Sequence, residues 1–400
     1  MDTFKLDNGM SVVFAGSSRK FSVCLSVNVG HVNEPKLGIA NLFERTLLQQ
    51  LNGIIPIFGG TMTAYTSGGN DLDAILGKIH HIFNKTFITE EYVEKAKKLI
   101  TEQTYDIAPM TMRRMKLAYK HIAFSADLVK TTEEYLEAIN SYTVEDIREF
   151  ANTYYTAKNL FLIISGPEIS EVELQYLAEE YFGNIPAGKT NPYIKGNIYT
   201  GGFEKLEVNE STTRLMFGWD ISHLDISDSP STNVMMSMFL RRLERAYVDA
   251  NLTDVQVDFK IAGYYGLRTM RAYIASTNHS AKTLTDVFIK AVNRICDTEA
   301  SDRRMERSRN EAMVEKLDKY EKSDDRALET AWQIIGRGSM YSVSNRINNI
   351  YETTSEDVMC IAKRVFRGSR PTYIVAHPKD NDDCYSLEYL MDALNITDVK

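Results

Sequence analysis

The stretch GIANLFERTLLQ, from Gly38 to Gln49, decides the fold assignment of this sequence. Its apolar residues recur at helical spacing, which predicts an amphipathic helix with one buried face. Asn41, Glu44 and Arg45 stand at positions i, i+3 and i+4, so their side chains project from the same face of that helix. The stretch therefore predicts a helix that presents an amide, a carboxylate and a guanidinium together.

An internal repeat lies downstream of this helix. The segment TVEDIREFANTYY (143–155) matches TSEDVMCIAKRVF (354–366) at a constant offset. Each copy begins with Thr as a helix N-cap, carries Asp three residues later, and is followed by a β-rich segment and a second acidic helix. Two copies about half a chain apart indicate duplication rather than a solenoid, whose periods are much shorter.

The repeat predicts an α+β fold with two homologous α/β domains, each a mostly antiparallel sheet flanked by helices. A segment rich in Gly, Pro and Asn lies between the copies and predicts a linker at residues 187–201. The predicted domains are therefore residues 1–186 and residues 202–400.

Composition limits the classes of function. With 400 residues, of which 44% are hydrophobic, the chain is long enough to bury a sizeable core. The net charge of -8 argues against a nucleic-acid partner, which needs a concentrated basic face. The four cysteines are sparse and none lies at a C-x-x-C spacing, which is typical of a reducing compartment. No stretch approaches the roughly 18 apolar residues of a membrane span, and no secretory signal is recognisable, so we expect a cytoplasmic protein without a membrane partner.

Several motifs in a fixed order resemble a known family. The order is LDNGMSVVFA (6–15), a strand, VGHVNEPKLGIANLFERTLL (29–48) and GGTMTAYTS (59–67). Together they resemble the N-terminal half of the insulinase/pitrilysin family of inverted zinc peptidases, in the branch of the mitochondrial processing peptidase. The resemblance implies that the two domains form half of a clamshell chamber.

In that family the helix motif H-x-x-E-H supplies two zinc ligands and a catalytic glutamate, and a glutamate on a downstream helix is the third ligand. The resemblance places the two histidine positions at Asn41 and Arg45, the catalytic base at Glu44, and the third ligand at Glu102. Arginine has no lone pair for a metal, and an Asn oxygen is a poor zinc ligand. We therefore expect these degenerate positions to supply neither a metal site nor catalysis.

Three interpretations of Glu44 remain open from the sequence. It is an ordinary helix residue on the solvent side, a relic general base without its water, or a carboxylate next to a substitute cation. In the third interpretation, Arg45 takes the place of the missing zinc and pairs with Glu102, which compensates carboxylates in a partly closed cleft.

A second family motif, R-E-x-x-G-L-x-Y, supplies an Arg and a Tyr that grip the substrate and its oxyanion. The matching stretch YVDANLTD places Tyr247 at the Arg position and Asp254 at the Tyr position. A carboxylate there would repel the negative charge that develops in the transition state. The resemblance therefore implies that this part of the catalytic machinery is also missing.

The stretch GGTMTAYTS corresponds in the family to an edge strand that binds peptide by β-augmentation, which needs exposed backbone rather than particular side chains. The residues implied in substrate binding are Thr61, Met62, Thr63, Ala64, Tyr65 and Thr66. A purely structural strand is the alternative. The loop before Gly59 and the segment after Ser67 are shorter than in the family, which argues against a substrate groove of normal shape.

Family members of this size form chambers from two chains, which are unequal in some cases. We expect a non-catalytic subunit that shapes the chamber and binds peptide for a homologous zinc-peptidase subunit, in a heterodimer that processes precursor peptides. Zinc is then expected in the partner, and this chain has no cofactor of its own. Two alternatives remain: a scaffold subunit with no proteolytic role, and an active metallopeptidase with an atypical site.

Overall fold

The computed structural model describes residues 2–106, 110–124, 130–192, 198–264, 267–321, 323–337, 343–381 and 383–396. Before the predicted linker, the elements in chain order are β1 (Asp2–Lys5), β2 (Ser11–Ser17), β3 (Phe21–Val27), α1 (Ile39–Leu48), β4 (Ile55–Phe58), β5 (Thr63–Gly69), α2 (Leu72–His80), α3 (Glu90–Asp106), α4 (Met110–Ala123), α5 (Thr132–Ser141), α6 (Val144–Tyr154), β6 (Leu160–Gly166) and α7 (Glu171–Phe182). After it they are β7 (Gly202–Val208), β8 (Thr213–Asp220), α8 (Ser229–Asp249), β9 (Gln256–Tyr264), β10 (Leu267–Ser276), α9 (Ala281–Asp297), α10 (Asp302–Glu321), α11 (Ser323–Arg337), α12 (Val343–Glu352), α13 (Ser355–Phe366), β11 (Thr372–Pro378) and α14 (Leu387–Ala393). Short 3-10 turns occupy His81–Phe83, Lys85–Phe87, Ala157–Asn159 and Ile226–Asp228.

The chain divides into two compact units, and neither is continuous in sequence. The N-terminal unit comprises Met1–Ile107, Lys130–Lys195 and Leu317–Ser342. The C-terminal unit comprises Ala108–Val129, Gly196–Lys316 and Val343–Lys400. These units differ from the predicted division at two helices, because α4 belongs to the C-terminal unit and α11 to the N-terminal unit. Residues 193–197 of the predicted linker lie outside the described residues.

Each unit is built on one sheet, and the two sheets share a topology. The strand order is β1-β2-β6-β3-β5-β4 in the N-terminal unit and β7-β11-β8-β10-β9 in the C-terminal unit. Each sheet has one parallel pair, β2 with β6 and β7 with β11, and its other pairs are antiparallel. The predicted α+β fold with two helix-flanked sheets is therefore confirmed.

Both copies of the sequence repeat begin with the same capping box. The Asp146 backbone N–H donates to Thr143 Oγ1 at 3.2 Å, and the Thr143 N–H donates to the Asp146 carboxylate at 2.9 Å. Asp357 and Thr354 form the same two bonds at 3.1 and 2.8 Å. Helices α6 and α13 therefore begin as the repeat predicts, and each leads into the strand at the same place in its sheet.

A helix from the opposite half of the chain covers the second face of each sheet. Alternate residues of β3 and β6 pack in separate clusters, so both faces of the N-terminal sheet are apolar and each needs a covering layer. Ala327 and Ala331 of α11 are fully buried on this second face. Met115 and Tyr119 of α4 are fully buried on the corresponding face of the C-terminal sheet. The helical periodicity of the sequence does not indicate which sheet a helix covers. The exchange of α4 and α11, in which each helix covers the sheet of the opposite half of the chain, was therefore not predicted.

The helices are amphipathic rather than uniformly apolar. Helices α6, α9 and α13 each bury one face in the core of their unit and carry charged residues on the other. In the part of the chain that the structure describes, no helix has both the length and the apolar character needed to cross a membrane.

Candidate functional site

Helix α1 carries the degenerate ligand positions and is held at both ends. Gly38 precedes it with a φ of 78°, a left-handed conformation that glycine adopts without strain. The Glu34 carboxylate accepts hydrogen bonds from the Gly38 and Ala40 backbone N–H groups at 2.6 and 2.9 Å, and so caps the helix that Gly38 itself cannot cap. At the other end, Gln49 Nε2 donates to the carbonyl oxygen of Tyr92 on α3 at 2.7 Å.

Glu44 points into the core rather than toward solvent. The residue is 2% exposed, and its Oε2 atom has no hydrogen-bond partner among the described residues. Burial raises the pKa of Glu44 to about 7, and the adjacent Arg45 partly opposes this rise. Burial also raises the pKa of Tyr155, with a further contribution from the charge of Glu44, and the Tyr155 hydroxyl lies 2.7 Å from the Tyr65 hydroxyl. The solvent-side interpretation of Glu44 is therefore wrong.

The hypothetical ion pair between Arg45 and Glu102 is not formed. Glu102 is exposed on α3, and its carboxylate lies 3.9 Å from Lys98 Nζ, one helical turn earlier. Arg45 is half-buried, and within the described residues its buried Nε atom has no hydrogen-bond partner. Its charge instead acts on the neighbouring Glu44, where it lowers the pKa against the larger effect of burial. Glu102 was placed at the third ligand position through the resemblance, and the structure shows it exposed with Lys98 as its ion-pair partner.

The Asn41 side chain is hydrogen-bonded to a neighbouring helix. Its Nδ2 atom donates a hydrogen bond of 2.7 Å to the hydroxyl of Tyr135 on α5. The side chains at the ligand positions do not fit a zinc ion, since Arg45 offers no lone pair and Glu102 faces Lys98 at the surface. Across the described ranges, no three His, Cys, Asp or Glu side chains are grouped so that they could hold a metal ion.

The predicted substrate strand is not at a sheet edge. Strand β5 pairs with β3 on one side and with β4 on the other, and its partners in β4 run from Ile55 to Phe58. Thr63, Ala64 and Tyr65 are fully buried. The expectation that residues 61–66 offer an open backbone is therefore wrong for the paired part of the stretch, because the short segment before Gly59 forms an extra strand. The outer strand is β4, in which Pro56 occupies a position typical of edges.

The two residues at the second motif have structural roles. Tyr247 is 2% exposed, and its hydroxyl donates to the Leu284 carbonyl oxygen at 2.9 Å. Asp254 accepts hydrogen bonds from Ser276 Oγ at 2.7 Å and from the Thr277 backbone N–H at 2.9 Å. These bonds, led by that of Ser276, lower the pKa of Asp254 to about 2. Both side chains therefore stabilise the C-terminal unit rather than face an open site.

Two features beside α1 were not found from the sequence. Burial raises the pKa of Glu34 to about 7, against the effect of its hydrogen bonds to the start of the helix. A pocket of about 260 Å³ lies against Phe43 and Leu47 of α1, with His80 and Tyr155 also in its lining. An acidic residue just before a helix is a usable signal for Glu34, whereas the pocket is built from segments that are distant in sequence.

Comparisons with known proteins identify one family model and several structures of the same fold. Residues 141–312 match the family model described as the Peptidase M16 inactive domain. A search of curated proteins gives no match. A chain of complex III2 from Candida albicans, bound to Inz-5, has a TM-score of 0.83 at 14% sequence identity over 98% of this chain and 99% of that chain.

Two further structures share the fold. A protease from Helicobacter pylori has a TM-score of 0.77 at 15% identity, over 94% of this chain and 99% of that chain. The periplasmic protease PqqL from Escherichia coli has a TM-score of 0.77 at 11% identity, over 98% of this chain and 49% of that chain. With the family model, these likenesses confirm the resemblance to the insulinase/pitrilysin family, in a form that lacks the two zinc-binding histidines.

Proposed function

We propose that this chain is the non-catalytic subunit of a two-chain peptidase and acts beside a homologous subunit that carries an intact H-x-x-E-H helix. The observation that carries this proposal is the arrangement on α1. Asn41 is hydrogen-bonded to Tyr135, and Arg45 occupies the other ligand position with a fixed positive charge. Asn41 is thus integrated with the surrounding residues, as expected for a helix that has been retained for its structure, and Arg45 cannot bind a metal.

The state of Glu44 also argues against catalysis by this chain alone. A general base that activates a metal-bound water needs access to that water. Glu44 is instead buried, and its Oε2 atom has no hydrogen-bond partner within the described ranges. A relic base that is retained inside the core is the interpretation that remains for this residue.

In this proposal zinc belongs to the partner subunit, and the pair processes precursor peptides in the cytoplasm. The peptide is shared between the two chains, so that this subunit contributes binding surface and the partner contributes chemistry. The pairing of β5 on both sides moves the expected peptide contact on this chain away from residues 63–66.

A scaffold role without proteolysis is the second candidate. It is favoured by one observation, the similarity in fold to a chain of complex III2, which is a multi-subunit assembly. In that case the chain would stabilise an assembly and would make no contact with a peptide substrate. An active peptidase with an atypical metal is disfavoured by the donor set on α1.

Co-expression with a homologue that carries H-x-x-E-H tests the proposal. We expect the two chains to co-purify, with zinc in the complex and none in this chain alone, and with peptide cleavage only by the complex. A matched pair of variants assigns the chemistry: Glu44→Gln in this chain leaves cleavage intact, and Glu→Gln in the partner's motif abolishes it. Stoichiometric zinc in this chain alone, or loss of cleavage in Glu44→Gln, would falsify the proposal. A stable complex without any cleavage would support the scaffold role instead.

A further inference from the structure

The cavity of about 260 Å³ beside α1 lies within the N-terminal unit and has an apolar floor. We call it the α1 pocket. Its floor consists of buried residues from separate segments, namely Phe43, Leu47, Ile82, Ile88, Ala151, Tyr155 and Ile185. An apolar cavity of about 150 Å³ already holds benzene, so the α1 pocket has room for a second fused ring.

Much of the lining of the α1 pocket is aromatic. The centroids of the Phe43 and Tyr155 rings lie 4.4 Å apart, and the two rings are tilted by 58°. The His80 ring lies 6.2 Å from both the Phe83 ring and the Tyr181 ring. Rings in offset or edge-on contact gain interaction beyond the area that they bury, which an aliphatic chain does not. The lining therefore favours an aromatic ligand over a fatty chain.

The walls of the α1 pocket are held by hydrogen bonds to the surrounding chain. Asn8 Nδ2 donates to the carbonyl oxygens of Phe182 and Ile185 at 2.7 and 3.2 Å, which fixes the segment after α7. Arg148 on α6 donates to the Ile88 carbonyl oxygen at 3.0 Å, which fixes the segment before α3. The pocket is therefore already formed without a ligand, so binding does not have to order its walls.

The mouth of the α1 pocket carries a positive charge. Lys85 Nζ donates a hydrogen bond to Asn152 Oδ1, and both residues are exposed members of the lining. An ammonium group has three donors, so two are left over from this bond. No Asp or Glu occurs in the described lining, and the Asp73 carboxylate next to it accepts a hydrogen bond from the Tyr181 hydroxyl at 2.9 Å. The charge therefore favours a ligand with an anionic head group.

We propose that the α1 pocket binds a small aromatic carboxylate of one or two rings, with its rings against Phe43 and Tyr155 and its carboxylate beside Lys85. The pocket volume, the aromatic lining and the single lysine at the mouth support this choice of ligand. Tyr155 is also hydrogen-bonded to Tyr65 of β5, and Phe43 belongs to α1, so a bound ligand should stabilise the N-terminal unit. The inference goes beyond the proposed function, because it concerns this chain alone.

Isothermal titration calorimetry of the full-length chain with three isosteric probes tests the assignment. The probes are 2-naphthoate, 2-naphthamide and 2-naphthamidine, which share one ring system and carry a negative, a neutral and a positive head group. We expect one site per chain, with 2-naphthoate bound about three- to fivefold more tightly than 2-naphthamide and 2-naphthamidine bound most weakly. The difference between the probes should shrink as salt is raised.

Two variants locate the site. Lys85→Glu should reverse the order of the three probes, because it exchanges the charge at the mouth. Ala151→Leu places a larger side chain on the floor and should weaken all three probes by about tenfold or more. The matched control is Lys20→Glu, at an exposed position before β3 outside the described lining, and should leave the order unchanged. Circular dichroism checks that each variant is folded, and Lys85→Glu, at an exposed position, tests the site even if Ala151→Leu does not fold.

Several outcomes would overturn the assignment. They are no binding of 2-naphthoate, equal binding of the three probes, an order that Lys85→Glu does not change, and tighter binding of octanoate than of 2-naphthoate. The proposed function fails separately, if no zinc-bearing homologue co-purifies, and that result would leave the probe measurements on the isolated chain valid.

Discussion

The two sheets share a topology, but the helices that cover their second faces pack on them differently. On the N-terminal sheet, α11 packs over β3, β6 and β5 through the small residues Ala327 and Ala331. Its Trp332 lies so near Gly59 that a Cβ atom there would be 2.3 Å from the indole ring. On the C-terminal sheet, α4 packs through the larger residues Met115 and Tyr119, and a groove of about 460 Å³ beside it is lined by residues of α4, β8, β9 and β10. The two halves therefore share their sheet topology, whereas the helix that comes from the other half of the chain determines how the second face of each sheet is covered.

Three carboxyl groups in the two units have pKa values that are shifted in opposite directions. The N-terminal unit buries Glu44 and Glu34 with raised pKa values. The C-terminal unit holds Asp254 in a ring of hydrogen-bond donors that lowers its pKa. The contributions of Glu44 and Asp254 to stability should therefore depend on pH with opposite signs.

The largest expected effect concerns the second face of the N-terminal sheet, which α11 covers. Ala331→Asp places a carboxylate without a partner on a fully buried surface, and should lower the free energy of unfolding by about 3–5 kcal/mol. Urea denaturation measures this loss. Lys116→Glu, in the groove beside α4, is the control and should change stability by less than about 0.5 kcal/mol. Equal losses for the two variants would contradict the difference in coverage.

The second prediction concerns pH and the buried acid of the N-terminal unit. Because the folded-state pKa of Glu44 is raised from 4.5 to about 7, its proton stabilises the fold fully below about pH 4.5, and this contribution is lost as the pH rises through about 7. Glu44→Gln should therefore be nearly neutral at pH 4 and stabilising by up to about 3 kcal/mol at pH 8. Urea denaturation of both proteins at the two pH values measures the difference. An effect that is independent of pH would place Glu44 in water.

The third prediction is the counterpart in the C-terminal unit. Asp254→Ala removes the acceptor for Ser276 and Thr277 and should cost about 1–3 kcal/mol at pH 7. Because the pKa of Asp254 is lowered to about 2, its stabilising effect is lost as the pH falls through about 2, so the cost of the substitution should shrink only in strong acid. Thermal unfolding between pH 7 and pH 2 follows this change. A cost that already disappears at pH 5 would show that the carboxylate is not held by these donors.

The smallest effect sharpens the account of α1. Tyr135→Phe removes the hydrogen bond from Asn41 while it keeps the ring, and should cost about 1 kcal/mol. In the double variant with Asn41→Leu, the two changes should be less than additive, because both remove the same bond. Differential scanning calorimetry of the four proteins in this cycle measures the coupling. Full additivity would mean that the bond contributes nothing to stability.

The parts of the fold that were predicted depend on local chemistry. The capping boxes at Thr143 and Thr354 were visible as Thr followed by Asp, and they begin equivalent helices in the two units. The degenerate helix was visible because three polar residues share one face, and α1 spans Ile39–Leu48.

The parts that were missed depend on packing between distant segments. Nothing in the residues of α4 or α11 indicates which sheet each covers, since an apolar stripe fits either core. The extra strand β4 was missed because four residues around Pro56 give a weak β signal, and its presence turned β5 into an inner strand. Glu102 was assigned to the site through the resemblance, and its real neighbour is Lys98.

The exchange of α4 and α11 also determines the order in which the protein can be completed during synthesis. The N-terminal sheet is fully translated by Gly166, but the helix that covers its second face begins at Ser323. A nascent chain therefore has an uncovered apolar sheet face while the 156 residues between Gly166 and Ser323 are translated, and this face is a surface for chaperones or for aggregation. A gene divided at the predicted linker would give an N-terminal fragment that lacks α11 and a C-terminal fragment that lacks α4. Each fragment would carry the helix that covers the other's sheet, so neither unit would be complete alone.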